Sequence, residues 1–172
     1  MGGSGCFDMK KIFAICVMLV AVCASLYGQH KYETFENDRF FFSVEYPSDL
    51  LKLQPLPEND DGGTFLSNDN EIEMRVWGQY NAMTETLGAR YNATLKGFTA
   101  KPSYMVLGKS SFVVSGIKND KIVYIKTLYR KDKDADVFYT LTIQYPQTRR
   151  KELDSVVTRV ANSFKILPGA DI

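Results

Sequence analysis

A chain of 172 residues, 45% hydrophobic and 24% charged, has the composition of one globular domain, which excludes a wholly disordered, collagenous or coiled-coil polypeptide. Its 21 lysines and arginines against 20 aspartates and glutamates set up no global field, so neither nucleic acid nor an anionic membrane is expected as a partner. One histidine and three cysteines leave few groups for nucleophilic or soft-metal chemistry.

Lys10 and Lys11 precede an apolar run over 12–24, and small or turn-forming residues follow as far as Gly28, the three regions of a signal peptide. The run is shorter than the roughly 20 residues that a membrane-crossing helix needs. Cleavage after Ala24 and cleavage after Gly28 both fit, and Met9 is the natural start of such a signal, so 1–28 is read as a signal peptide with an N-terminal extension. The opening Met1 and Gly2 do not make a myristoylation signal, because position 6 is Cys6. Cys6, Cys16 and Cys23 all lie inside this region, so the exported chain, periplasmic or secreted, has no disulfide. The alternative is a lipid anchor on Cys23, against which Val22 stands where lipoprotein signals carry a smaller residue. Removing 1–28 takes away Asp8, Lys10 and Lys11 and leaves the charges balanced. The remaining chain, about 144 residues, is long enough to bury roughly 70% of its unfolded surface.

Residues 29–38 are polar and read as a flexible arm. In 40–46, Phe40, Phe42, Val44 and Tyr46 alternate with Phe41, Ser43 and Glu45, which predicts a half-buried strand stopped by Pro47. Ser48 and Asp49 then cap a short helical turn through Leu50, Leu51 and Leu53, and 55–63 forms a surface loop. A hairpin over 64–67 and 71–80 turns at Asn68, Asp69 and Asn70. Along its second strand Ile72, Met74, Val76 and Tyr80 face one way, and Glu71, Glu73, Arg75, Trp77 and Gln79 the other. Leu87, Tyr91, Leu95 and Phe98 predict a helix over 84–97, capped by Asn81 or Thr84 and ended by Gly97. A meander of strands follows at 104–107 leading into 112–117, then 121–130 and 137–145, with a tight turn at Asn119 and Asp120 and a longer one at 131–136. After Pro146, the stripe Leu153, Val156, Val157, Val160, Ala161 and Phe164 predicts a helix that must cover a sheet.

This order specifies a single-domain α+β fold, a central antiparallel β-sheet sandwiched between helices, because too few parallel crossovers are available for a doubly wound sheet. The strand Phe42-Ser43-Val44-Glu45-Tyr46-Pro47, the segment Gly63-Thr64-Phe65-Leu66-Ser67, the strand end Val114-Ser115-Gly116, the strand Thr142-Ile143-Gln144-Tyr145-Pro146 and the helix end Ala161-Asn162-Ser163-Phe164 occur in that sequence. In this combination the chain resembles the PsbP/DcrB-like group over 39–167, with 168–172 as a tail. The resemblance implies the same sandwich, an accessory or binding role, and no shared catalytic motif or cofactor. With an export signal, it implies a non-enzymatic module of the bacterial cell envelope.

The candidate constellations follow from side-chain chemistry. His30 is the single histidine and lies in the expected flexible arm, so no Ser-His-Asp, Cys-His or multi-histidine site is expected. Asp132, Asp134 and Asp136 alternate as a calcium loop begins, but Val137 and Ile143 occupy positions that need Gly and Glu, so a solvated turn is expected. Glu58, Asp60 and Asp61 with Asp69, Glu71 and Glu73 would have to converge to support an alternative carboxylate-based or metal-assisted enzyme, or a cation-responsive protein. Arg149, Arg150 and Lys151 open the last helix at the end where its dipole disfavours cations. The preferred binding surface joins Glu73, Arg75 and Trp77 to Tyr124 and Lys126 of a neighbouring strand, for a protein or small-molecule partner of a monomer. The competing expectation is that helices cover this face and make Trp77 a core residue.

Overall fold

The computed structural model describes residues 30–131 and 135–168. The signal segment, Cys23, Asp132, Asp134 and most of the tail lie outside the described residues. Among the described residues there are ten strands and two α-helices, the expected order with β1, β3 and β10 added: β1 Tyr32–Asn37, β2 Phe42–Pro47, β3 Lys52–Leu53, β4 Gly62–Leu66 and β5 Glu73–Tyr80 stand ahead of α1 Leu87–Lys96. Next come β6 Tyr104–Leu107, β7 Ser111–Lys118, β8 Lys121–Arg130, β9 Val137–Pro146, α2 Arg150–Ser163 and β10 Lys165–Ile166. The large sheet has seven antiparallel strands in the order β3-β4-β5-β9-β8-β7-β6, and a second sheet has the order β1-β2-β10.

Alternation decides what each face of the large sheet meets. On the inner face Phe65, Met74, Val76, Tyr139, Leu141 and Ile143 are buried, under Leu153, Val156, Val157 and Val160 of α2 and under Phe35, Phe42 and Val44 of the small sheet. On the outer face α1 reaches only part of the way, packing Leu87, Tyr91 and Leu95 against Phe112, Val114 and Phe138. The sheet is therefore sandwiched between helices, as expected, but a small sheet shares the inner layer with α2.

Three local expectations are corrected. Within the expected arm, residues 32–37 are a strand instead: β1 pairs with β2 along its whole length, because Phe35 finds Phe42 and Phe65 at ring distances of 6.2 and 5.5 Å, enough apolar contact to hold a polar strand. The helical turn after Pro47 closes at Leu51, which is buried, and Leu53 instead joins β3 and stays exposed. Helix α1 begins at Leu87 with Thr86 as its cap, its Oγ1 accepting from the Ala89 N–H at 3.1 Å. Asn81 acts earlier, its Oδ1 accepting from the Glu85 N–H at 2.8 Å.

The turn between β1 and β2 also shapes the site. Asn37 is buried, accepts the Phe40 N–H at 2.8 Å and donates to the Asp60 carbonyl at 3.0 Å, while Arg39 donates to the Asn59 carbonyl. Phe41 adopts a φ of 53° and Phe40 is buried against Gly78, where any Cβ would stand 2.3 Å from the Phe40 ring. The loop that carries Pro55 and Pro57 is thus fastened to the small sheet at its far end.

Candidate functional site

Trp77 lies in the middle of β5, opposite Gly62 on β4 and Thr140 on β9, and residues directly opposite in an antiparallel ladder share a face. Gly62 has no alternative there, because a Cβ would lie 1.9 Å from the Val76 carbonyl oxygen and 2.6 Å from the Trp77 Cα. With no side chain opposite it, the indole borders a hollow of about 430 Å³ walled by Pro55, Pro57, Asp61, Thr64 and Arg75. A second hollow, about 290 Å³, opens on its other side under α1, between Arg90, Phe98 and Lys118 and a floor of Ile125, Thr127, Thr140 and Thr142. Trp77 is only partly buried, and its side chain makes no hydrogen bond among the described residues.

The surrounding polar groups are arranged in pairs. Glu73 accepts from Gln144 at 2.7 Å and holds the Arg75 guanidinium in an ion pair. Arg90 fastens α1 to the sheet: its guanidinium stands 4.1 Å above the Phe138 ring, bonds Glu85 at 3.0 Å and reaches Gln79 at 3.2 Å. The face around Trp77 thus offers an aromatic plane beside two carboxylate-paired arginines, Arg75 and Arg90, with Asp61 and Lys118 at the walls of the two hollows, an arrangement suited to binding.

Glu73, Arg75 and Trp77 share this outer face, as their alternation predicted, but Tyr124 and Lys126 do not. Strand β9 lies between β5 and β8, and its register places Tyr124 opposite Ile143 and Lys126 opposite Leu141, both inward-facing. Lys126 spends its charge inside the molecule, donating to the Ala161 carbonyl at 2.6 Å and the Phe164 carbonyl at 3.5 Å at the end of α2. Burial lowers the pKa of its ammonium, and burial pushes the Tyr124 hydroxyl up to about 12. The residues that take their place on the outer face are Thr127, Thr140, Thr142 and Ile125. Thr140 and Thr142 were within reach of alternation in β9, whereas Arg90 and Lys118 enter the site through folding alone.

The acidic groups do not converge. Asp60 and Asp61 precede β4 at the Trp77 end, while Asp69, Glu71 and Glu73 stand at the other end of the β4–β5 pair. Among the described residues no group of three or more His, Cys, Asp or Glu could hold a metal ion. Asp69 accepts from Ser67 and from the Glu71 N–H at 3.0 Å, bonds that hold its carboxyl below the ordinary range, and meets Arg149 at 3.3 Å. Arg149 also pairs with Glu152 at 2.7 Å, and Arg150 meets Asp154 at 3.6 Å, so two of the three basic residues at the start of α2 are held by carboxylates. A broad, shallow depression along α2 has its charges satisfied too, with Arg159 bonding Glu45 at 2.8 Å and lying 3.7 Å over Tyr32. No described helix is long and apolar enough to cross a membrane.

No protein-family model matches the sequence, and no curated protein is significantly similar to it. Solved structures do match in fold. Cyanobacterial PsbP (CyanoP) from Synechocystis sp. PCC 6803 aligns with a TM-score of 0.58 at 11% identity, over 82% of this chain and 95% of its own. LpqN, involved in cell envelope biogenesis of Mycobacterium tuberculosis, gives 0.54 at 14% identity over 82% and 93%. The Saccharomyces cerevisiae Ran-binding protein Mog1p gives 0.51 at 11% identity over 81% and 97%. The chain has the PsbP/Mog1-like α+β fold that its strand and helix motifs resemble.

Proposed function

We propose that this chain is an exported, non-enzymatic accessory module of the bacterial cell envelope that binds a partner protein or small ligand with the outer sheet face around Trp77. The observation that carries the reading is the placement of the chain's one tryptophan, partly exposed, between two hollows, one against the 55–64 segment and one at the flank of α1. A large aromatic side chain gains most by burial, so leaving it partly exposed beside a glycine fits a contact surface better than a core position. Support of a different kind comes from the signal-like pattern of 1–28 and from fold neighbours described as a Ran-binding protein and as a protein of cell envelope biogenesis.

A photocrosslinking amino acid at Gln79, exposed beside Trp77, tests the reading against the same group at Lys165 on the small sheet. In a bacterial envelope the Gln79 probe is expected to yield a discrete adduct that Trp77→Ala removes, and the Lys165 probe is not. Equal adducts from both positions, or purified protein that hydrolyses ester, phosphate or glycoside substrates through its Asp or Glu residues, would overturn it.

A further inference from the structure

Residues 86–119 contain Arg90, Lys96, Lys101, Lys109 and Lys118 and no aspartate or glutamate, in a chain that as a whole balances 21 basic against 20 acidic side chains. They build α1, β6 and β7, so an acid-free block occupies one end of the large sheet. Strand β6 is the outermost strand there and, among the described residues, pairs only with β7. The Gly108 N–H donates to the Ser111 carbonyl at 2.8 Å, and the alternation of an antiparallel ladder then turns the backbone groups of Tyr104 and Val106 toward β7 and those of Met105 and Leu107 outward.

This edge has none of the usual protection within the strand: no charge, no proline and no bulge. Tyr104 at 54% exposed, Val106 at 46% and, on β7, Ile117 at 51% form an apolar strip on one face of this edge, and Leu107, 47% exposed, lies on the other face. Lysines bracket it instead. Lys101 precedes the strand, Lys109 follows it, both are exposed, and neither has an ion pair among the described residues. Asp154, which shares a hollow of about 300 Å³ with Lys101, Ser103 and Ile117 at the foot of β6, is taken by Arg150 at 3.6 Å. A second copy laid antiparallel on this edge would bring Lys101 of one molecule within two residues of Lys109 of the other, a like-charge contact that opposes self-pairing. The same two lysines attract a strand with acidic ends.

We propose that the open edge of β6 takes up an extended segment of a partner polypeptide, apolar at its centre and acidic on both flanks, as an eighth strand of the large sheet. Its backbone pairs with Met105 and Leu107, its apolar side chains cover Tyr104 and Val106, and its flanking carboxylates reach Lys101 and Lys109. Three strands separate β6 from β5, so this surface is distinct from the hollows at Trp77.

The test uses the full chain and two labelled peptides with the same alternating valine and threonine centre, one flanked by paired aspartates and one by paired lysines. The aspartate peptide should bind about tenfold more tightly at low salt, and the preference should shrink at about 0.5 M salt. Reversing Lys101 and Lys109 to glutamate should invert the preference. Hydrogen exchange at Met105 and Leu107 should slow with peptide bound, while Tyr104 and Val106, already paired with β7, change little. Leu107→Pro, which removes one outward donor and spares the β7 ladder, should abolish binding, and Trp77→Ala should leave it intact. Equal affinity for both peptides, protection elsewhere, a dimer of the chain paired through β6, or loss of binding in Trp77→Ala would each overturn the proposal; equal affinity or a β6 dimer would leave the reading of the Trp77 face untouched, and loss in Trp77→Ala would move the binding to that face.

Discussion

Single residues carry the sharpest consequences of this fold. Gly62→Ala would drive a methyl group into the Val76 carbonyl, and the two strands could relieve it only by separating beside Trp77. A loss of about 2 to 3 kcal/mol is expected from the urea midpoint, the magnitude of overpacking at a site that cannot shift freely. Lys126→Met keeps an apolar stem but removes the donor to the last carbonyls of α2, and should cost about 1 to 2 kcal/mol without weakening binding at the outer face. That second outcome separates the structure from the face assignment read out of the sequence. The reason the sequence misplaced Tyr124 and Lys126 is physical: β8 carries Ile122, Tyr124 and Leu128 on one face and Val123, Ile125 and Tyr129 on the other, so its alternation holds no signal for inside and outside. In β5 the charges fall on alternate residues, and there Glu73, Arg75 and Trp77 were legible as one face.

At the scale of elements, turn chemistry and apolar stripes were legible wherever a local rule was strong. The turn at Asn119 and Asp120 has φ angles of 50° and 60°, as a two-residue hairpin of this kind demands. Asp120→Gly should therefore stabilise the β7–β8 hairpin by about 0.5 to 1 kcal/mol, since glycine carries no left-handed penalty, and a raised thermal midpoint would show it. Helix α2 was readable for a similar reason, its five buried side chains lying on one stripe. Strand β1 was hidden because only Phe35 and Asn37 of its six residues are buried, too few for alternation to register. Its value lies in partners distant in sequence, Phe65 and the 55–61 loop, which no local pattern reports.

For the whole molecule, β1 makes the small sheet part of the core, so a chain beginning at Arg39 should lose its cooperative unfolding transition, which circular dichroism during heating would detect. Stability should also depend on alkaline pH. Burial raises the hydroxyls of Tyr32, Tyr46 and Tyr145 as well as Tyr124, and the bond to Asp136 raises that of Tyr129. A tyrosine whose folded pKa exceeds its unfolded value of 10.0 holds its proton longer in the native state, so its contribution is complete below pH 10 and is lost as pH climbs toward about 12. Lys126, shifted down, acts in the opposite sense and gains stability between its lowered pKa and 10.5, but one group opposes five. The unfolding free energy is therefore expected to fall across pH 10 to 12, and Tyr124→Phe should flatten that fall.

The two outer strands of the small sheet both run antiparallel to β2 and hence parallel to each other, with Tyr32 opposite Pro47 and Ile166 opposite Phe42. Tension applied to the polypeptide at these two points would pull in opposite directions along the strand axis, loading the β1–β2 and β2–β10 bonds side by side in shear instead of peeling them open one after another. A layer this small would then act as the mechanical clasp of the molecule against traction applied at Tyr32 and Ile166.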